Sequence, residues 1–322
     1  MSANTALFRP DRFAHANIFV ADVNESVAFY RDVCGLTEVF REPGIKAGFL
    51  SNGATHHDMG LMQVSSAPLI GRDGSVQNTM VRGRQPGLNH IAFHVCSEAS
   101  LIEAYRNAER FDIAVEKALD HGMSRSLYLY DPDGNAVEFY IDSVPDWRGF
   151  YAENQNNLIS ARWDPLTTPP FPAFEPLPRL DTRVDGAALQ SMEICGGTFF
   201  VADLPRSLDF YRRIAGLELI SQSGEAALLG LPGQQHACVA LVAAGRDEQA
   251  GLHSLWFLIA PQSFLLSQPA MPAGMARQTR QEGARCFSRD PNSIYLAFYT
   301  GAALLPREAS RADALACLRE EA

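Results

Sequence analysis

Two histidines and one glutamate stand where a second copy of the same sequence pattern has glycine, serine and alanine. Each half of the chain carries a Phe-Tyr-Arg triplet, a Gly-Leu pair and, later, an Asp-Pro pair. The positions that differ are His15, His90 and Glu138 in the first copy and Gly196, Ser254 and Ala297 in the second. Because the three residues are lost together while the shared motifs remain, we predict that they form one metal-ligand set, here called the ligand triad.

The ligand triad has the composition of a site for ferrous chemistry. Two imidazoles and one carboxylate leave three positions of an octahedral metal open, as in Fe(II) enzymes that bind a substrate and oxygen together. Glu138 stands between Val137 and Phe139, whose side chains point to the opposite face of a strand. A carboxylate in such apolar surroundings costs several kcal/mol unless it is paired or bound to a metal. A cation held by the triad would satisfy it.

Hydrophobic periodicity predicts the elements that position these residues. Residues 13–20 are predicted as a strand and residues 26–34 as a helix that Gly35 ends. The other elements predicted in the first half are strands at 38–40, 46–52, 57–64, 90–96, 126–130 and 136–141 and a helix at 98–110. The predicted fold class is α+β with two tandem modules, each a pair of βαβββ units that forms a curved, mostly antiparallel sheet around a cavity.

The chain divides into three predicted parts. Residues 1–142 form a metal-bearing catalytic module, residues 143–189 a proline-rich linker, and residues 190–322 a degenerate structural module. The composition of the linker favours extended segments packed on a surface. Residues 310–322 are predicted as a capped helix that serves as an oligomer contact, so we expect a homo-oligomer.

Composition disfavours several classes of partner. The 322 residues are 47% hydrophobic, as in a packed globular protein. The net charge of -10 arises from 37 acidic and 27 basic residues, without the Lys and Arg cluster that nucleic-acid binding requires. The sequence shows no signal-peptide pattern and no long apolar run, which predicts a soluble, cytoplasmic protein without a membrane partner. The six scattered cysteines are predicted to be reduced thiols.

Three segments resemble a known superfamily. Residues 15–22, 88–95 and 131–138 are similar to the motifs of the vicinal oxygen chelate superfamily, which includes glyoxalases and bleomycin resistance proteins. Within it, the chain resembles the type I extradiol catechol dioxygenases, and the resemblance covers nearly the whole chain as two fused modules. It implies Fe(II), or in some members Mn(II), held by the ligand triad, with a small aromatic diol and O2 as substrates.

The resemblance also implies three catalytic residues. His57 matches a family histidine that precedes the second ligand, and Tyr128 stands ten residues before Glu138, at the spacing of an active-site tyrosine. His121 resembles the family's acid/base histidine, but it fits only with a two-residue deletion before Tyr128. His56 is the alternative to His57, either as its exposed neighbour or as the active-site member itself.

The implied reaction is ring cleavage, and two alternatives stay open. His57 would stabilise charge on bound oxygen, and His121 or Tyr128 would move a proton to the leaving oxygen. A glyoxalase-like isomerase or lyase usually has a further carboxylate ligand, which the strand predicted at 57–64 does not offer on its inward face. A non-catalytic small-molecule-binding protein of the same fold generally lacks the triad. The best-known two-domain dioxygenases carry iron in the C-terminal module, so the ring substrate and the cleaved bond are not predicted.

Overall fold

The structure, a computed structural model, describes residues 6–70, 74, 76–78, 83–155, 160–175, 177–178, 180, 182–261, 276–280 and 283–315. Its strands are β1 (Pro10–Val20), β2 (Thr37–Glu42), β3 (Ala47–Ser51), β4 (Met59–Gln63), β5 (Leu69–Ile70), β6 (Val76–Asn78), β7 (Gly87–Val95), β8 (Lys117–Asp120), β9 (Ser124–Tyr130), β10 (Ala136–Asp142), β11 (Ala161–Arg162), β12 (Ser191–Val201), β13 (Glu218–Gln222), β14 (Ala226–Gly230), β15 (Val239–Ala243), β16 (Gly251–Ile259), β17 (Ala276–Arg280), β18 (Gly283–Arg289) and β19 (Tyr295–Tyr299). Its α-helices are α1 (Val23–Asp32), α2 (Glu98–Arg110), α3 (Trp147–Glu153), α4 (Leu204–Arg213) and α5 (Arg311–Ala314), with 3-10 turns at Pro43–Ile45 and Ala302–Leu304.

Two large sheets carry the fold. The first has the strand order β11-β8-β9-β10-β7-β1-β4-β3-β2, and the second has the order β13-β14-β15-β12-β16-β19-β18-β17. In each sheet, the first strands of two successive units pair antiparallel at the centre, β1 with β7 and β12 with β16. The predicted mixed fold with two curved sheets is confirmed. The described part of the chain contains no helix long and apolar enough to cross a membrane.

Reciprocal hydrogen bonds join the two halves of the chain. The Tyr30 hydroxyl donates to Asp290 Oδ2 at 3.2 Å, and the Tyr211 hydroxyl donates to Asp131 Oδ2 at 3.1 Å. All four side chains are buried. Each tyrosine belongs to the Phe-Tyr-Arg triplet of one copy and each aspartate to the Asp-Pro pair of the other. The shared motifs therefore hold the two halves together, which explains why the second copy keeps them.

The Gly-Leu pairs serve the same interface. Gly35 and Gly216 adopt left-handed φ values of 73° and 80° after α1 and α4. A Cβ on Gly35 would lie 2.3 Å from the Leu189 carbonyl oxygen, and one on Gly216 would lie 2.1 Å from that of Phe8. A side chain at either glycine would thus clash with the backbone that leads into the other half, so both the dihedral and the close approach require glycine.

Several predicted boundaries are wrong for a physical reason. β4 begins at Met59, so His57 lies in the preceding loop and not in a strand. The Asp58 carboxylate accepts hydrogen bonds from the backbone and the side-chain amide of Asn52 and closes this loop. β8 was not predicted, and both α3 and β11 lie in the range predicted as a linker, where β11 pairs with β8. Residues 316–322 of the predicted C-terminal helix lie outside the described residues.

Candidate metal centre

Three neighbouring strands bring the ligand triad together. His15 lies on β1, His90 on β7 and Glu138 on β10, which are adjacent in the first sheet. The Nε2 atoms of both histidines lie 3.0 Å from Glu138 Oε2, and all three residues are buried. Their ligand atoms lie within 4.8 Å of one another. Three donor atoms thus converge on one point, as a single cation requires.

Burial and mutual contact set the charges of the triad. Burial lowers the pKa of His15 to about 4, against the opposing effect of Glu138, so its imidazole is neutral near neutral pH. Burial alone would raise the pKa of Glu138, but the two imidazoles outweigh it and hold this pKa well below its usual range. Neutral imidazoles and an ionised carboxylate are the forms that bind a metal.

The surroundings of the His90 ring also fit a bound divalent cation. His90 Nε2 is buried and makes no hydrogen bond of good geometry within the described residues, although Glu138 lies nearby. The other nitrogen of the ring, Nδ1, lies 3.0 Å from Asn89 Oδ1. Metal-binding histidines are usually oriented by such an acceptor on the second nitrogen. His90 is therefore held with Nε2 facing the other two members of the ligand triad.

The second sheet fills the equivalent space with an indole ring. Ala92 lies opposite both His15 and Glu138 in the first sheet, and Trp256 lies opposite both Gly196 and Ala297 in the second. Trp256 is 1% exposed, and a Cβ on Gly196 would lie 2.8 Å from its ring. The second sheet thus has a packed indole where the first sheet has space beside the ligand triad, and it has none of the three ligand-type residues at the equivalent positions.

Replacing Trp256 by alanine should therefore destabilise the protein without affecting the ligand triad. Loss of a buried tryptophan leaves a cavity, and we expect a decrease of about 3–5 kcal/mol in the free energy of unfolding. Denaturant unfolding measures the loss, and the metal content of the folded variant serves as the control. Unchanged stability would show that this indole does not support the second module.

His57 and His56 both face the triad from the loop before β4. The rings of His57 and His15 lie 4.1 Å apart, and His57 Nε2 lies 3.2 Å from Asn17 Oδ1. Burial lowers the pKa of His57 well below its usual value, so the ring is neutral. His56 is 4% exposed, and its Nδ1 lies 2.9 Å from Asp142 Oδ1. The prediction that His56 is an exposed neighbour of His57 is wrong. Side chains alternate between two faces only within a strand, and both histidines lie in a loop.

Tyr128 and His121 form a hydrogen-bonded pair on the opposite wall. Tyr128 lies on β9 directly opposite Glu138, and its hydroxyl oxygen lies 3.1 Å from His121 Nε2. Burial and the Glu138 carboxylate raise the pKa of Tyr128 well above its usual value, so the phenol keeps its proton. His121 lies in the turn between β8 and β9, where its Nδ1 is 3.4 Å from the Ser160 hydroxyl.

These residues line one cavity of about 730 Å³. Aromatic and apolar side chains that the sequence reasoning did not assign to the site complete its wall: Phe49, Met62, Met123, Tyr151 and Trp163. Tyr151 and Trp163 come from the predicted linker, where aromatic residues in a proline-rich segment were the available signal. The cavity can therefore hold an aromatic ring beside the triad.

Residues 12–139 match the family model described as the Glyoxalase/Bleomycin resistance protein/Dioxygenase superfamily. The matched segment contains the whole ligand triad. The half of the chain that contains the ligand triad thus matches the model of this superfamily, and the predicted resemblance is confirmed.

Sequence relatives of the chain are named as dioxygenases of aromatic diols. Biphenyl-2,3-diol 1,2-dioxygenase 2 of Rhodococcus globerulus is 27% identical over 181 residues, which cover 53% of this chain and 87% of the relative. Catechol-2,3-dioxygenase of Bacillus subtilis is 24% identical over 249 residues, 76% of this chain and 79% of the relative. The prediction of an extradiol ring-cleaving dioxygenase is confirmed at the level of this class.

Solved structures share the fold over most of the chain. The 2,3-dioxygenase LapB from Pseudomonas sp. KL28 has a TM-score of 0.64 at 14% identity, covering 92% of this chain and 94% of that one. Homoprotocatechuate 2,3-dioxygenase from Brevibacterium fuscum, in complex with 3,4-dihydroxyphenylacetate, has a TM-score of 0.61 at 17% identity, with 92% and 82% coverage. At these identities the likeness supports the two-sheet fold.

Proposed function

We propose that this protein is an Fe(II)-dependent extradiol dioxygenase that opens a catechol-type aromatic ring with O2. The observation that carries the proposal is the convergence of His15, His90 and Glu138 in a buried cavity with an aromatic wall. Mn(II) fits the same ligands, because carboxylate and imidazole both suit it. The dioxygenase names of the sequence relatives support the reaction class.

The metal would supply the redox chemistry. When bound, Fe(II) would coordinate both oxygens of the diol, lower their pKa and bring the ring and O2 together. Phe49 and Tyr151 border the cavity beside the triad and can pack against the ring. Their contact also excludes water, which strengthens the electrostatic effect of every polar group around the substrate.

His57 is proposed as the base that receives a diol proton, in place of the charge-stabilising role that the resemblance implies. Its Nε2 faces the Asn17 side-chain oxygen at 3.2 Å, an arrangement that leaves Nδ1 as the acceptor nitrogen. Because burial lowers the pKa of His57, the ring is neutral and Nδ1 has a lone pair. A metal in the ligand triad would lower the pKa of the diol, so that its proton could pass to this nitrogen. Asn17 would keep the ring in this orientation.

Tyr128 and His121 are proposed to return a proton to the leaving oxygen. The raised pKa of Tyr128 keeps its hydroxyl protonated, and His121 lies within hydrogen-bond distance of it. Tyr128 would hold the proton at the cavity wall. After this proton has been transferred, His121 would supply Tyr128 with another. This division of roles separates the proton donor from the base on the opposite wall.

Oxygen uptake tests the reaction. Protein loaded with Fe(II) under anaerobic conditions would be mixed with aerated catechol, biphenyl-2,3-diol, hydroquinone or a trihydroxybenzene. We expect oxygen consumption with at least one ortho-diol, together with the visible absorbance of a ring-opened product. Absence of uptake across this panel, at one bound iron per chain, would overturn the proposal.

Replacing Tyr128 by phenylalanine should lower kcat about 10²- to 10⁴-fold, the usual contribution of a general acid. The iron content should stay unchanged, because the tyrosine is not a member of the ligand triad. Steady-state oxygen uptake measures the rate, and Tyr105→Phe on α2 is the matched control. If kcat stays at the wild-type value, Tyr128 is a structural residue.

A further inference from the structure

We propose that His15, His56 and His57 form an alternative binding site for Zn²⁺ or a similar divalent cation. The three residues are buried, and their ligand atoms lie within 4.8 Å of one another. The proposed cation would compete with iron, because His15 belongs to both sets. This inference goes beyond the proposed dioxygenase activity and rests on the hydrogen bonding of the three rings.

One nitrogen of each ring already faces an oxygen acceptor. The contacts are His15 Nε2 to Glu138 Oε2 at 3.0 Å, His56 Nδ1 to Asp142 Oδ1 at 2.9 Å, and His57 Nε2 to Asn17 Oδ1 at 3.2 Å. A metal-bound histidine almost always donates its second N–H to a carboxylate or carbonyl oxygen, which fixes the tautomer and the ring. All three rings therefore have the supporting contact that zinc ligands have.

The other nitrogens are available to a cation. Nδ1 of His15 and Nδ1 of His57 are buried and have no hydrogen-bond partner in the described part of the chain. Their rings are neighbours, 4.1 Å apart between centroids. Since Nδ1 of His56 is committed to Asp142, Nε2 is the nitrogen this cavity-lining ring can offer. Buried polar atoms are normally paired, so unpaired nitrogens on two neighbouring rings indicate a ligand.

The donor set selects the ion. Three neutral imidazoles suit zinc, copper or nickel, whereas iron and manganese favour a site that includes a carboxylate. Zinc commonly takes three protein ligands and a water molecule. His15 would bind through Nδ1 in this set, with Glu138 as its hydrogen-bond acceptor, and through Nε2 in the ligand triad. One ring cannot serve both sites as a neutral ligand, so zinc at the histidine set would displace iron.

Substitutions at two residues can distinguish the ligand triad from the proposed zinc site. His90 belongs to the ligand triad alone, and His56 belongs to the histidine set alone. We expect the His90→Ala variant to bind one Zn²⁺ per chain in calorimetric titration, and the His56→Ala/His90→Ala double variant to lose this binding. Asp142→Ala in the His90→Ala background should weaken zinc binding about 10- to 100-fold, the usual effect of removing such a supporting acceptor.

The zinc titration also includes a matched control variant and a second background variant. His94→Ala/His90→Ala removes a half-buried histidine that pairs with Asp11, and zinc affinity should equal that of His90→Ala. Glu138→Gln, which keeps a side-chain oxygen, serves as the background if His90→Ala does not fold. Equal zinc affinity with and without His56, or no zinc in either background, would overturn the site. Because zinc binding is measured directly, a failed oxygen-uptake assay leaves the result intact.

Discussion

Replacing Glu138 by alanine should abolish iron binding and ring cleavage while the protein stays folded. The carboxylate lies 3.0 Å from both imidazoles of the ligand triad and supplies its negative charge. The second copy has alanine at the equivalent position, Ala297, and still forms its sheet. We expect iron content to fall from one per chain to near zero and oxygen uptake to become undetectable.

Metal analysis after anaerobic loading and circular dichroism check this result. Glu103→Ala, on the exposed face of α2, is the matched control and should keep full iron content and turnover. Retention of both properties in Glu138→Ala would show that the ligand triad is not the metal site. Loss of the folded spectrum would instead assign the glutamate a structural role.

Removing the hydroxyls of Tyr30 and Tyr211 should weaken the contact between the two halves. Each tyrosine-to-phenylalanine change leaves a buried aspartate short of one donor, which costs about 1–3 kcal/mol. The double variant should lose more than either single variant in urea unfolding. Tyr105→Phe on α2 is the control for loss of a hydroxyl elsewhere. Wild-type stability of the double variant would contradict the interface role of these motifs.

The loss of stability caused by Tyr30→Phe should also depend on pH. Burial raises the pKa of Asp290, and the Tyr30 hydroxyl opposes that rise by stabilising the carboxylate. Removing the hydroxyl raises the folded-state pKa further, so the stability deficit should grow as pH rises through this pKa and shrink below it. Unfolding curves at acidic and neutral pH measure the difference. An equal deficit at both values would indicate that Asp290 does not titrate in this range.

The ligand triad could be predicted because the chain contains its own comparison. His15, His90 and Glu138 stand out only against the second copy, and strand periodicity places all three on the cavity face. The helix predicted at 98–110 forms as α2 (Glu98–Arg110), since Ser97 caps it and its apolar residues recur at helical spacing. These features depend on local sequence.

The remaining wall of the site depends on contacts between distant segments. His56 enters the cavity because Asn52 and Asp58 close a loop, which strand alternation cannot predict. Trp163 reaches the cavity beside β11, which pairs with β8 across an intervening segment of the chain. No periodicity in residues 143–189 signals the pairing of β11 with β8. Propensity near Lys117–Asp120 was also too weak to predict β8, which forms because β9 offers it a hydrogen-bonding edge.

The crossed tyrosine–aspartate pairs make this chain equivalent to a dimer whose two subunits have been joined covalently. In a true homodimer, any substitution at the metal ligands would appear in both subunits and remove both active sites. Fusion gives each half its own sequence. The second half can therefore have the packed Trp256 in place of metal ligands and still form its hydrogen bonds with the first half. The two halves also depend on each other: with Tyr30 bonded to Asp290 and Tyr211 to Asp131, each half supplies a buried hydrogen-bond partner that the other half needs.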